Sequence, residues 1–165
     1  GVRYLAAQGL IDPKRVCIIG TSYGGYAAFA GATLDTGVYN CAVSIAGLSD
    51  ATKWREGERY YLAGVISPAY TYARRLLGDA PKLDDISPIK HVDKVTIPVL
   101  IMHGKDDSVV PINQSVDMYK APKAAGKTVS YKDEEHAEHG ATTEASRIEM
   151  LNATIAFIEK YNPPV

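Results

Sequence analysis

Between Arg15 and Leu34 the chain runs from an uninterrupted apolar stretch, RVCIIG, through Thr21-Ser22-Tyr23 into a segment built of alanine and glycine. No other stretch limits the fold as strongly. RVCIIG has the form of a strand buried on both faces, as found in parallel sheets. Gly24 to Leu34 sets Tyr26, Phe29 and Leu34 at helical spacing among small residues, so a helix packs close to that strand. Ser22 stands at the junction in the pattern G-x-S-x-G, from Gly20 to Gly24. A strand that reverses sharply into a helix there exposes the hydroxyl at the turn, and the glycines let backbone and helix approach without Cβ clashes. The bland alternative is a tight glycine turn with an incidental serine.

The rest of the chain repeats the alternation of strand and helix. Val2 to Gln8 reads as the tail of a helix stopped by Gly9, followed by the turn-prone Asp12-Pro13. Cys41 to Ala46 (CAVSIA), Ile97 to Met102 (IPVLIM, with the proline at its start) and Thr128 to Lys132 (TVSYK) are further strands. Strand, helix, strand at this spacing is a βαβ unit with a right-handed crossover. Ile112 to about Ala125 reads as a helix that Pro122 should end or kink a turn early. Thr143 to Tyr161 is a helix with Ile148, Leu151, Ile155 and Ile158 on one face and Glu144 favourably placed in its first turn. The expected fold is α/β: a mostly parallel sheet of about four strands flanked by helices.

Residues 47–94 differ in kind. Trp54, Tyr60, Tyr61, Tyr70 and Tyr72 are interspersed with charges, and Pro68, Pro81 and Pro88 interrupt any long period. Two or three short helices are expected, their aromatics either forming a specificity pocket or capping the edge of the core.

Composition excludes several classes of function. With 165 residues, 46% of them hydrophobic, one globular domain can bury a substantial core. A net charge of -1 offers no electrostatic footprint for nucleic acid, and no apolar run approaches the length of a membrane span. Cys17 and Cys41 each lie in an apolar run and read as free, buried small hydrophobes, leaving the compartment open.

A serine hydroxyl becomes a nucleophile when a histidine takes its proton, and that histidine needs a carboxylate on its other nitrogen. Asp106 and Asp107 follow the IPVLIM strand, and His136 and His139 follow the TVSYK strand. The chain order Ser, Asp, His is that of α/β-hydrolases, and each candidate follows a strand's C-terminal end, where open α/β sheets bind ligands. Spacing alone leaves both pairs open. The histidines lack an H-E-x-x-H pattern or a cysteine set, so zinc is not expected. His103 reads as ordering the turn after its strand, and His91 has no catalytic context. Asp133, Glu134 and Glu135 read as a solvated loop that would raise the pKa of His136 if close to it.

Three motifs, Gly20-Thr21-Ser22-Tyr23-Gly24-Gly25-Tyr26, His103 to Pro111 (HGKDDSVVP) and Tyr131 through His136, together resemble the peptidase domain of the prolyl oligopeptidase family. The resemblance extends to the dipeptidyl peptidase IV and acylaminoacyl peptidase branches and runs nearly the whole chain, including Arg147 to Leu151. The pattern H-G-x-x-D selects Asp107 over Asp106. In the last segment the family base follows an acid pair, which selects His136 over His139, although the family histidine is often followed by glycine and Ala137 stands here. The resemblance implies hydrolysis of short peptides through an acyl-enzyme. Ser22 is the nucleophile, His136 the base, Asp107 the orienting acid and the Tyr23 N–H an oxyanion donor, with no metal or organic cofactor. An esterase is the nearest alternative.

The family places several strands, a second oxyanion donor and a β-propeller upstream of the nucleophile, and about 20 residues precede Ser22 here. The chain is therefore expected to be a C-terminal portion of the peptidase domain. Its RVCIIG strand would be left as an apolar edge that self-associates. A folded but catalytically silent chain is the corresponding alternative function.

Overall fold

The computed structural model describes residues 1–60, 68–78, 82–135 and 137–164. Four strands, β1 (Cys17–Thr21), β2 (Cys41–Ile45), β3 (Val99–Gly104) and β4 (Val129–Glu134), form one sheet in the order β1-β2-β3-β4. All three pairings are parallel. The helices are α1 (Val2–Ala7), α2 (Tyr23–Thr33), α3 (Ala51–Tyr60), α4 (Pro68–Leu77), α5 (Asn113–Ala124) and α6 (Glu144–Tyr161), with a 3₁₀ segment at Pro88–Lys94.

The central strands are buried along their whole length because both faces are covered. Ala42, Val99 and Ile101 turn one way, onto Phe29 and Ala32 of α2, Met118 of α5 and Val95. Cys41, Val43, Ile45, Leu100 and Met102 turn the other way, onto Phe157 of α6. This is the period of two expected of strands. β1 is the outer strand of the sheet, and its Ile19 is 46% exposed.

Three sequence expectations need correction. Cys17 and Cys41 are not free: they form a disulfide across β1 and β2, where they are register partners with Cα atoms 4.7 Å apart. Each cysteine looks like a buried hydrophobe within its own strand, and the pairing arises only when the strands meet. The bridge closes a loop of sequence separation 24. Chain-entropy arguments give such a loop about 3 kcal/mol. Reduction and alkylation are expected to lower the thermal midpoint clearly, and alkylation of either cysteine without reductant would contradict the bridge.

The face of α6 also differs from expectation. Met150, Ala153, Phe157, Ile158 and Tyr161 pack on the sheet, whereas Ile148, Leu151 and Ile155 remain 52%, 58% and 43% exposed. The helix carries two apolar stripes, and the more regular one faces outward. Finally, Pro122 does not shorten α5. It lies buried in the last turn, and Gly126, at φ +72°, follows the helix end.

Candidate active site

The elbow is held from both sides. Ser22 adopts φ 59° and ψ −118°, a conformation that side chains normally avoid. Its N–H donates to the Ile45 carbonyl of β2 at 2.8 Å, and its own carbonyl accepts from Tyr26 in the first turn of α2 at 3.0 Å. The reversal is tight enough that a Cβ on Gly20 would overlap the carbonyl of Gly24. Tyr23 opens α2, and an amide at that position has no intrahelical acceptor.

Asp107 follows β3, with a fully buried side chain. Its Oδ1 accepts from the N–H groups of Val109 and Val110, each at 2.8 Å. Its Oδ2 lies 2.9 Å from Nδ1 of His139, and Nε2 of His139 lies 2.8 Å from Oγ of Ser22. Burial alone pushes the Asp107 carboxyl up. The Val110 amide, His139 and the Val109 amide outweigh it and hold the group below its ordinary 3.8.

The imidazole bridging Ser22 and Asp107 is thus that of His139, a position for which the family resemblance selected His136. His136 lies outside the described residues. His139 contacts both neighbours of the bridging position, Asp107 through Nδ1 and Ser22 through Nε2. Asp106 donates its backbone N–H to the carbonyl of Ala137 at 3.0 Å, and Lys105 donates to that of Glu134 at 3.0 Å, laying the histidine loop along the acid loop. A Cβ on Gly104 would overlap the carbonyl oxygens of Ala137 and Glu138. The signal for His139 was legible: Gly140 follows it, as glycine often follows the family histidine, while Ala137 follows His136.

The acids of this loop are not simply solvated. Lys105 Nζ lies 3.1 Å from Asp133 and 2.8 Å from Glu135, and Glu134 is buried 3.5 Å from Lys132 Nζ. His91 is remote on the 3₁₀ segment, facing the Asp84 carbonyl at 3.1 Å. His103 is fully buried behind Asp107, and burial pushes its imidazole below the ordinary 6.5 despite the nearby Val110 carbonyl and Asp107.

These two shifts carry the same sign. Between its unfolded and folded values each group binds more protons in the unfolded chain, so acid destabilises the fold. The contribution of His103 is expected to be lost as pH falls below 6.5, and that of Asp107 as it falls below 3.8. Thermal midpoints measured from pH 8 downward check this, and a flat profile contradicts it.

Beside Ser22 opens a cavity of about 200 Å³ lined by Tyr23, Tyr26, Trp54, Tyr72, Leu76 and Val110, among others. The Tyr26 hydroxyl is fixed by donating to the Ile86 carbonyl at 3.0 Å. No charged side chain lines the cavity among the described residues. Of the aromatics expected to form a pocket, Trp54 and Tyr72 line it, while Tyr61, like Pro81, lies outside the described residues. Among the described residues no cluster of His, Cys, Asp and Glu could hold a metal ion, and no helix is long and apolar enough to cross a membrane.

The sequence profile of the Prolyl oligopeptidase family matches residues 1–163. Peptidase YuxL of Bacillus subtilis is 28% identical over 92% of this chain and 23% of its own length. Dipeptidyl aminopeptidase BIII of Pseudoxanthomonas mexicana is 31% identical over 79% of this chain and 19% of its own. Among solved structures, a puromycin-hydrolyzing peptidase of Mycobacterium tuberculosis superposes with a TM-score of 0.87 at 28% identity, covering 98% of this chain and 24% of that one. The chain thus spans less than a quarter of the length of each of these relatives.

Proposed function

Since this chain belongs to the prolyl oligopeptidase family, we propose that it carries the hydrolytic machinery of a serine peptidase, with Ser22, His139 and Asp107 as its triad. The observation that carries the reading is the continuous path from Ser22 Oγ through the His139 ring to Asp107, at 2.8 Å and 2.9 Å. As Ser22 Oγ attacks the carbonyl carbon of a peptide bond, His139 Nε2 takes its proton and Asp107 stabilises the imidazolium. The Tyr23 N–H donates to the developing oxyanion, such a donor typically contributing about 3 kcal/mol. Collapse of the tetrahedral intermediate passes the proton to the leaving amine and leaves an ester on Ser22. Water then attacks that ester with His139 again as base.

The apolar cavity next to Ser22 suits an uncharged side chain on the acyl side of the scissile bond. Engineered apolar cavities of roughly 150 Å³ accommodate benzene, so about 200 Å³ accepts an aromatic or a large aliphatic group. Short peptides are the substrates in this reading, and an ester would be cleaved by the same chemistry. A fluorophosphonate probe is the first test: labelling that disappears in Ser22→Ala supports the nucleophile, and a folded chain that never labels sinks the reading. With labelling in hand, paired p-nitroanilides and esters of Phe, Leu, Pro and Asp should show Phe and Leu ahead of Asp by about tenfold or more. Preference for Asp would overturn the assignment of the cavity.

A second reading is favoured by the exposed edge of the sheet. β1 is outermost, with Ile19 open to solvent, and α6 shows Ile148, Leu151 and Ile155. We propose that the chain self-associates through this edge, which would leave a folded chain silent if the site is occluded. Light scattering on a sizing column should show mass rising with concentration and falling back in Ile19→Lys. A monomer at all concentrations removes this reading.

A further inference from the structure

Among the described residues two imidazoles touch the Asp107 carboxylate, those of His103 and His139, and of these two His139 reaches Ser22. His103, the penultimate residue of β3, is fully buried, and its Nε2 lies 2.9 Å from the Val110 carbonyl and 3.1 Å from Asp107 Oδ2. Its Nδ1 lies 2.6 Å from Oγ of Ser115 on α5. Resting on the triad reading above, we propose that His103 is a positioning residue for the reaction. As a neutral ring protonated on Nε2, it clamps the turn from Asp107 to Val110 and keeps Oδ2 facing His139.

The tautomer follows from its partners. A backbone carbonyl only accepts, so the nitrogen facing Val110 carries the hydrogen. Nδ1 is then an acceptor, which the Ser115 hydroxyl fills as donor. Three elements meet at this ring: β3 supplies it, the turn supplies Asp107 and Val110, and α5 supplies Ser115. The titratable groups near it are Asp107 and, beyond that carboxylate, His139. Neutrality matters for the chemistry. A charged His103 would compete for the Asp107 charge at the moment His139 becomes an imidazolium, whereas a neutral ring offers Oδ2 only the positive end of an N–H dipole. Burial favours the neutral form. Asp107 therefore meets His139 already oriented, with Oδ1 fixed by two amides and Oδ2 flanked by His103.

His103→Gln and His103→Asn separate this role from simple filling of space. A glutamine amide reaches the place of Nε2, and an asparagine amide reaches only that of Nδ1. The Asn variant is expected to lower the rate of fluorophosphonate labelling about tenfold, equivalent to one hydrogen bond to a charged group, while Gln stays within about threefold of the unmodified chain. Nuclear magnetic resonance supplies a readout that needs no turnover. The His139 Nδ1–H proton shared with Asp107 should be protected and far downfield in the unmodified chain and the Gln variant, and lost or broadened in the Asn variant. If the Asn variant does not fold, Ser115→Ala, which keeps the ring but removes the donor fixing its tautomer, should broaden the same resonance. Labelling and resonance unchanged in every folded variant would overturn the proposal while leaving the peptidase reading intact. An unmodified chain that never labels, yet whose His139 resonance responds to His103, would do the reverse.

Discussion

On the proposed reading, replacing His139 by alanine is expected to lower the rate of active-site labelling and of hydrolysis by on the order of 10⁴-fold or more, as removal of a triad member does in serine hydrolases. His136→Ala is expected to change them little. The asymmetry follows from the geometry: His139 Nε2 lies 2.8 Å from Ser22 Oγ, and its Nδ1 lies 2.9 Å from Asp107 Oδ2. Without that ring the hydroxyl is left at its free acidity, and any residual rate reflects binding and oxyanion donors alone. Time-resolved labelling of the two variants, with melting curves to verify folding, measures the difference. A dead His136→Ala beside an active His139→Ala would restore the assignment first suggested by the acid pair before His136.

The second large effect is expected at a residue that touches no substrate. In Gly104→Ala the new methyl would meet the carbonyl oxygens of Ala137 and Glu138, backbone atoms that cannot swing aside as a side chain can. The histidine loop must retreat, and His139 is two residues beyond Ala137. Overpacking of this kind costs about 1 to 3 kcal/mol of stability, and a displacement of about 1 Å at a reacting group costs on the order of 100-fold in rate. Loss of labelling well beyond the loss of stability, read from denaturant curves and probe kinetics on the same preparation, is the expected outcome. A folded variant labelling at full rate would show that the two loops are independent.

The parts of this molecule legible in its sequence are those fixed by local periodicity. Runs such as CAVSIA and IPVLIM can only be strands covered on both sides, and β2 and β3 lie in the middle of the sheet accordingly. The turn at Ser22 was legible because the elbow is a local conformation with a local signature, whereas spacing left Asp106 and Asp107 open and the choice of Asp107, which accepts from the amides of Val109 and Val110, came from the family resemblance. What local periodicity leaves open depends on how distant segments meet. His136 and His139 stand three residues apart in a stretch with no regular period, so periodicity cannot say which ring faces inward, and the placement of His139 depends on hydrogen bonds such as that from Asp106 N–H to the Ala137 carbonyl. The bond between Cys17 and Cys41 needs the register of β1 on β2. On α6 both stripes are apolar, and only Met150, Ala153 and Phe157 find the sheet beneath them.

The order of strands has a consequence for folding kinetics. Ser22 follows β1 and His139 follows β4, strands at opposite ends of the sheet, and the two residues are separated by 117 positions in the chain. Parallel strands cannot be joined by short hairpins, so each pairing waits for a long loop to close, and such topologies fold slowly. The hydrogen bond between Ser22 and His139 can form only once all three pairings are in register. Probe reactivity therefore serves as a clock for the last event of refolding: it should recover with the slowest phase, after helical signal and the fluorescence of Trp54 have returned.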